Sequence, residues 1–169
     1  MHAEAQRLIA ALGLRPHPEG GYFAEIYRSD TSVDIGTRTR SVLTSIYYLL
    51  PGDTFSAFHR LQSDEIWHHY DGAAVTIEMI DVDGRHSEVV VGTADRWQAA
   101  MPGGVWFAAH VADPAGFALV GCDVAPGFDF VDFEIGTREQ LQNAFPQHAS
   151  LIERFTRGGS GFRGWADIP

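Results

Sequence analysis

Apolar positions recur along this chain with two different periods. Near the start Ala5, Leu8, Ile9 and Leu12 fall on one helical face, and Gly13 follows where a left-handed cap can close a helix. The spacing predicts a short amphipathic helix over residues 3–12. From about residue 20 to 131 the rhythm shortens to β-rich runs at 41–50, 65–70, 74–80, 87–91, 105–109 and 117–124, separated by Gly, Pro and Asp. That punctuation predicts an all-β sandwich or barrel. Asp81-Val82-Asp83-Gly84 predicts a tight hairpin between two of the runs, because Asp-Gly supplies the positive backbone angle the reversal needs. After Val131 the helical period returns. Thr137-Arg138-Glu139-Gln140 has the form of a capping box, Leu141 and Phe145 share a face, and Pro146 can open a further turn carrying Leu151, Ile152 and Phe155. The β-structure is thus expected to be flanked by short N- and C-terminal helices. Residues 1–157 read as one domain, and 158–169 as a Gly-rich tail that is a candidate for disorder.

Composition narrows the partners. With 12 Lys plus Arg against 22 Asp plus Glu the net charge is −10, so nucleic acid and anionic membranes are repelled at long range. The single cysteine, Cys122, allows no intrachain disulfide and reads as a small buried hydrophobe. No segment approaches the ~20 apolar residues that span a bilayer, and no basic region with an apolar run opens the chain. A cytoplasmic protein without membrane attachment is expected.

Candidate chemistry is densest over residues 58–72, where two β runs meet around Gln62-Ser63-Asp64. Alternation places Glu65, Trp67 and His69 on one face of the second run, and Ile66, His68 and Tyr70 on the other. If the two runs pair as a hairpin, His59 lies opposite Trp67 and converges diagonally on Glu65. A carboxylate, an imidazole and an indole then line one concavity, which suits proton transfer at His59 and Glu65 with Trp67 as a platform for a polar ring. The plainer alternative is that His59 and Glu65 only satisfy each other inside a barrel. A second candidate site is His17-Pro18-Glu19-Gly20-Gly21-Tyr22-Phe23-Ala24-Glu25-Ile26-Tyr27-Arg28, where the glycines permit close backbone approach ahead of a strand. Strict alternation there would put Phe23, Glu25 and Tyr27 on one face, offering Glu25 and Tyr27 as polar anchors in a pocket, or else as solvated groups on an edge strand. Trp106 is a candidate pocket wall or a core aromatic.

Several of these stretches together resemble the cupin superfamily. Pro51-Gly52 followed by His59, Glu65 and Gly72 is similar to the first cupin motif, and Pro102-Gly103-Gly104-Val105-Trp106-Phe107 echoes the second. His17-Pro18-Glu19-Gly20-Gly21-Tyr22-Phe23, the 58–68 stretch and Ala125-Pro126-Gly127-Phe128-Asp129-Phe130 resemble a cupin branch described as a domain of unknown function. The resemblance implies a double-stranded β-helix, or jelly-roll, barrel with a central ligand pocket, and a homodimer. It also implies a metal site of three histidines and a glutamate, from which this chain departs. His59 and Glu65 match, while Leu61 and Phe107 stand where two histidines would. His69 is about 13 Å along the strand from Glu65 at ~3.3 Å per residue, too far to share an ion with it. A metal held by His59 and Glu65 is therefore not favoured, and no cofactor is assigned. The leading expectation is a metal-independent cupin that binds a small polar metabolite and isomerises or epimerises it as a carbohydrate-type enzyme would. Its catalytic residues would be His59 and Glu65, and its substrate-binding residues Glu25, Tyr27, Trp67, His69 and Trp106. The alternatives are a non-catalytic binding or sensor protein, and a metal-dependent cupin enzyme with nonstandard ligands.

Overall fold

The structure is a computed structural model, and it describes residues 1–158. In chain order the elements are α1 (Ala3–Ala11), β1 (Arg15–Pro16), β2 (Tyr22–Arg28), β3 (Ser32–Ile35), β4 (Arg38–Ser41), β5 (Thr44–Pro51), β6 (Phe55–Leu61), β7 (Asp64–Gly72), β8 (Val75–Ile80), β9 (His86–Val91), β10 (Gln98–Met101), β11 (Trp106–Val111), β12 (Phe117–Ala125), β13 (Phe133–Ile135), α2 (Arg138–Ala144) and α3 (Ala149–Arg154). All but Gly158 of the glycine-rich tail expected over 158–169 lies outside the described residues. No helix among the described residues is long and apolar enough to cross a membrane.

Two sheets carry the architecture. One runs β1-β2-β5-β12-β7-β10 and the other β13-β6-β11-β8-β9, with β3-β4 a separate hairpin. Their facing sides share one apolar interior that includes Tyr48, Leu50, Trp67, Ile77, Phe107 and Val120. This is the mostly β, two-sheet cupin-like fold that the alternating runs and the resemblance anticipated, with short helices at both ends. The local signals are realised. His2 caps α1 through Nδ1, which accepts from the Glu4 amide at 3.2 Å, and Thr137 and Gln140 form a reciprocal capping box on α2. The Asp81–Gly84 turn joins β8 to β9 with Gly84 at φ +76°.

The helices cover outer faces. α1 lays Ala5 and Leu8 on Leu49, Phe117 and Leu119 of the larger sheet. Leu141 of α2, Ile152 of α3 and Phe155 pack over Phe58, Ile80, Trp106 and Ala108 of the smaller one. Each buried side chain of this size contributes roughly 1.5–3 kcal/mol of transfer free energy, so the C-terminal layer is an integral part of the fold.

Strand pairing corrects one expectation. β6 and β7 are separated by only two residues, yet they do not form a hairpin. β6 pairs with β11 and β13, while β7 pairs with β12 and β10. The chain turns the corner between the two sheets at Gln62-Ser63, where Gln62 donates to the Asp132 carbonyl and Leu61 accepts from Gly104. His59 is therefore opposite Phe107, and Trp67 is opposite Cys122.

Candidate functional site

Part of the interior is packed solid by residues such as Val75, Ile77, Val91 and Val111. The remainder is a cavity of about 560 Å³, lined from both sheets by Phe23, Ile46, Tyr48, His59, Leu61, Glu65, Trp67 and Cys122. Its size suits a small metabolite, and its walls are mainly apolar with a few converging polar groups.

The most densely bonded polar group in the cavity comes from the loop between β1 and β2. The loop bends at Gly20 and Gly21, at φ +122° and +68°, and a side chain at either would strike the backbone of Phe55 or Leu49. That bend drives Glu19 inward. Its carbonyl accepts from the Ala57 amide at 2.9 Å and from Arg157 Nη1 at 2.6 Å, and Tyr48 donates to the Gly20 carbonyl at 2.8 Å. The Glu19 side chain is buried. Oε1 accepts from the Ser56 hydroxyl at 2.9 Å, while Oε2 lies 3.2 Å from His59 Nε2 and 3.3 Å from His17 Nδ1.

The two imidazoles differ. His59 Nδ1 is 2.8 Å from the Ala57 carbonyl, which can only accept, so this nitrogen carries a proton. Its Nε2 lies 3.2 Å from the Glu19 carboxylate oxygen, within reach of that charge. His17 Nδ1 is off the hydrogen-bond axis to Glu19 and has no hydrogen-bond partner, although its side chain is only 8% exposed. Attraction between His17 and Glu19 is thus electrostatic. Both rings are wedged among aromatics, His17 edge-on to Phe23 at 4.7 Å and His59 against Phe107 at 4.0 Å.

Glu65 projects into the same cavity from β7, accepting from Trp67 Nε1 at 3.1 Å. Burial pushes its carboxyl up to about 8, the Glu19 charge adds to that, and hydrogen bonds from Trp67 and Cys122 only partly offset it. For Glu19, burial acts upward too. Attraction from the adjacent His59 and His17, with the Ser56 hydroxyl, outweighs it and brings the carboxyl down to about 2. Burial draws the His59 imidazole below its ordinary range against the pull of Glu19 and the Ala57 carbonyl. One cavity therefore holds an ionised carboxylate and a carboxylic acid that keeps its proton at neutral pH.

The candidates from the sequence scatter more widely than alternation implied. His59, Glu65 and Trp67 line the cavity, but the carboxylate beside His59 is Glu19, not Glu65. Glu25 reaches the cavity rim, where it is paired with Arg28 at 2.7 Å. Tyr27 is half exposed and outside the cavity lining. The cause is a bulge between Glu25 and Tyr27, which leaves Ile26 unmatched, sets Tyr27 opposite Ser45, and turns Arg28 inward instead. His69 is buried away from the cavity, with Nε2 3.0 Å from the Ala73 carbonyl and its ring beside Trp97. Trp106 faces outward beneath the C-terminal helices with Arg60 over its ring at 4.6 Å, and the neighbouring Phe107 faces in. His17 and Glu19 open the second candidate stretch and belong to a motif that carries the family resemblance, but the sequence assigns neither a role of its own. The glycines after them, which let backbone approach the barrel closely, are the local signal.

A cupin metal site does not fit these side chains. Leu61 and Phe107 are buried in the interior where two imidazoles would be needed, and the described residues contain no cluster of three or more His, Cys, Asp or Glu able to hold an ion. The chemistry below is accordingly derived without a metal.

Comparison with known proteins gives the same architecture. The family model Cupin_5, described as Cupin superfamily (DUF985), matches residues 6–136. The uncharacterized protein YML079W of Saccharomyces cerevisiae is 31% identical over 146 residues, covering 75% of this chain and 72% of that protein. A hypothetical protein from Leishmania major is 38% identical with a TM-score of 0.83, covering 92% of this chain and 99% of the other. Protein SO0799 of Shewanella oneidensis is 36% identical with a TM-score of 0.84, covering 94% of this chain and 99% of the other.

Proposed function

The chain belongs to the Cupin_5 (DUF985) family of the cupin superfamily, and from that premise we propose that it binds a small polar metabolite inside the barrel and isomerises or epimerises it by acid–base chemistry without a metal. One observation carries this reading. Glu19 and Glu65, both buried in the same cavity, are driven in opposite directions, to about 2 and about 8. Two titratable groups whose environments separate their proton affinities are the acid and base assignments of a proton-transfer site. Glu65 supplies the proton donor. Glu19, with the imidazoles beside it, supplies the accepting side, and Trp67 with Tyr48 forms an apolar wall for the substrate face.

The test is to incubate the protein with a fractionated extract of small metabolites, following its melting temperature and the isomer composition of any compound that stabilises it. A stabilising compound that is redistributed among isomers of unchanged mass supports the reading. Glu65→Gln should keep the stabilisation while slowing conversion by about 10²–10⁴-fold, the usual worth of a general acid. Stabilisation with no chemical change, in wild type as in the variant, would assign the cavity to a binding or sensor protein instead.

A further inference from the structure

We infer that the substrate is an uncharged carbonyl compound with a hydrogen on the adjacent carbon, that His17 takes this hydrogen as a proton, and that Glu65 hydrogen-bonds the carbonyl oxygen. The inference rests on the acid–base reading above and adds the substrate class and the identity of the base.

The choice of base follows from proton placement. His59 spends its Nδ1 proton on the Ala57 carbonyl, and its Nε2 faces Glu19. His17 is arranged the other way round. Its Nδ1 is the nitrogen nearest Glu19, at 3.3 Å, so a single proton there lies toward the carboxylate's charge. Nε2 then carries the lone pair. A carboxylate-backed imidazole whose second nitrogen carries a lone pair is the arrangement of a general base.

Substrate charge follows from what lines the cavity. The chain contains no lysine, so a carbonyl cannot be activated there as a Schiff base. Of the two arginines that line the cavity, Arg28 is committed to Glu25 and to the Phe128 carbonyl, and Arg15 lies over the Phe23 ring at 5.4 Å. A carboxylate or phosphate placed beside Glu19 would meet that charge among aromatic walls. A neutral carbonyl oxygen meets a carboxylic acid at Glu65, whose Oε1 already accepts from Trp67.

In the forward step the C–H bond breaks, its proton goes to His17 Nε2, and its electron pair forms the C=C bond of an enol. The former carbonyl oxygen gains the Glu65 proton, leaving Glu65 a carboxylate. The enol then returns its O–H proton to Glu65 and is reprotonated on carbon by the His17 imidazolium. No oxidant or co-reactant is consumed, and return to a different face or carbon yields the isomer.

The experiment is deuterium wash-in by proton NMR with the full chain in D₂O. The uncharged probes are dihydroxyacetone, D-xylulose and 2-cyclohexenone, and the anionic ones are pyruvate and oxaloacetate. The expected result is protein-dependent exchange beside the carbonyl of at least one uncharged probe. It should fall at least 100-fold in His17→Gln and Glu65→Ala, with melting temperatures confirming that both variants fold. Glu65→Gln, which keeps a hydrogen-bond donor but cannot give up a proton, should fall between wild type and Glu65→Ala. The inference is overturned by exchange confined to the anions, by a wild-type rate in His17→Gln, or by no protein-dependent exchange in any probe. Exchange confined to anions would leave the acid–base reading standing and remove only the substrate class. Exchange that ignores both Glu65 variants would remove the acid–base reading itself.

Discussion

Among the described residues two buried glutamates are flanked by histidine pairs, and only one of them opens onto the cavity. On the outer face of the smaller sheet, Glu78 is 2.7 Å from His86 Nε2 and 3.9 Å from His110 Nε2, and His110 stacks on Phe155 at 5.2 Å. That cluster ties the sheet to the C-terminal layer. Inside the barrel, Glu19 is likewise placed between His59 and His17, but the group opens onto a cavity, includes a nitrogen without a partner, and shares its enclosure with a second carboxyl, Glu65. Residue types alone do not distinguish the two clusters. The second carboxyl and the apolar enclosure do, because together they force one group to hold a proton and the other to release it.

The sharpest way to break this comparison is stability against pH. Glu65 binds its proton more tightly folded than unfolded, with a folded value of about 8 against an ordinary 4.5. Its contribution is therefore fully present below about pH 4.5 and is lost as pH rises toward 8, with a ceiling of roughly 5 kcal/mol over that window. Glu65→Gln should abolish this slope, so that urea unfolding finds the variant more stable than wild type at pH 8. At Glu78 the same change leaves His86 an amide oxygen as acceptor and removes only the charge, so it should cost about 1 kcal/mol with no such gain. Glu19 acts in the opposite sense, since its folded value is lowered to about 2. Its contribution is present above pH 4.5 and is lost as pH falls from there toward 2.

A smaller contrast comes from removing each acceptor outright. Glu19→Ala strands His59, His17 and Ser56 in the interior and should cost about 3–5 kcal/mol at pH 7, as breaking a buried charged cluster does. Glu78→Ala should cost about 1–3 kcal/mol, because His86 is one-third exposed and can turn to water. Equal losses would show that the two clusters are the same kind of structural tie. The smallest effect separates two neighbours on β2. Tyr27→Ala should change stability by less than about 0.5 kcal/mol and leave ligand-induced stabilisation intact, whereas Arg28→Ala should weaken that stabilisation. Ligand titrations followed by thermal unfolding would read both.

The fold was legible in the sequence where local chemistry decides it. The α1 periodicity, the Asp81–Gly84 hairpin and the Thr137 capping box depend on residues a few positions apart, and all three are formed. The site was legible only as far as its strands. His59, Glu65 and Trp67 lie on regular β segments whose alternation aims them inward, so their cavity position followed from pattern. Pairing His59 with Glu65 failed because barrel closure sends β6 and β7 to different sheets despite their short link. Tyr27 was misplaced because one extra residue in a strand reverses every side chain beyond it, and no composition signal marks Ile26 as a bulge. Glu19 belongs to a loop with no period at all, and only long-range partners, Ala57, Ser56, His59 and Arg157, fix its direction.

Glu19 and Glu65 face one cavity with opposite proton affinities, and carbon-detected NMR titration of the glutamate side-chain carboxyls measures that contrast directly. The expected result is one resonance titrating near pH 8 that disappears in Glu65→Gln, and one still ionised at pH 3 that disappears in Glu19→Gln. Two ordinary titrations near 4.5 for these residues would contradict it.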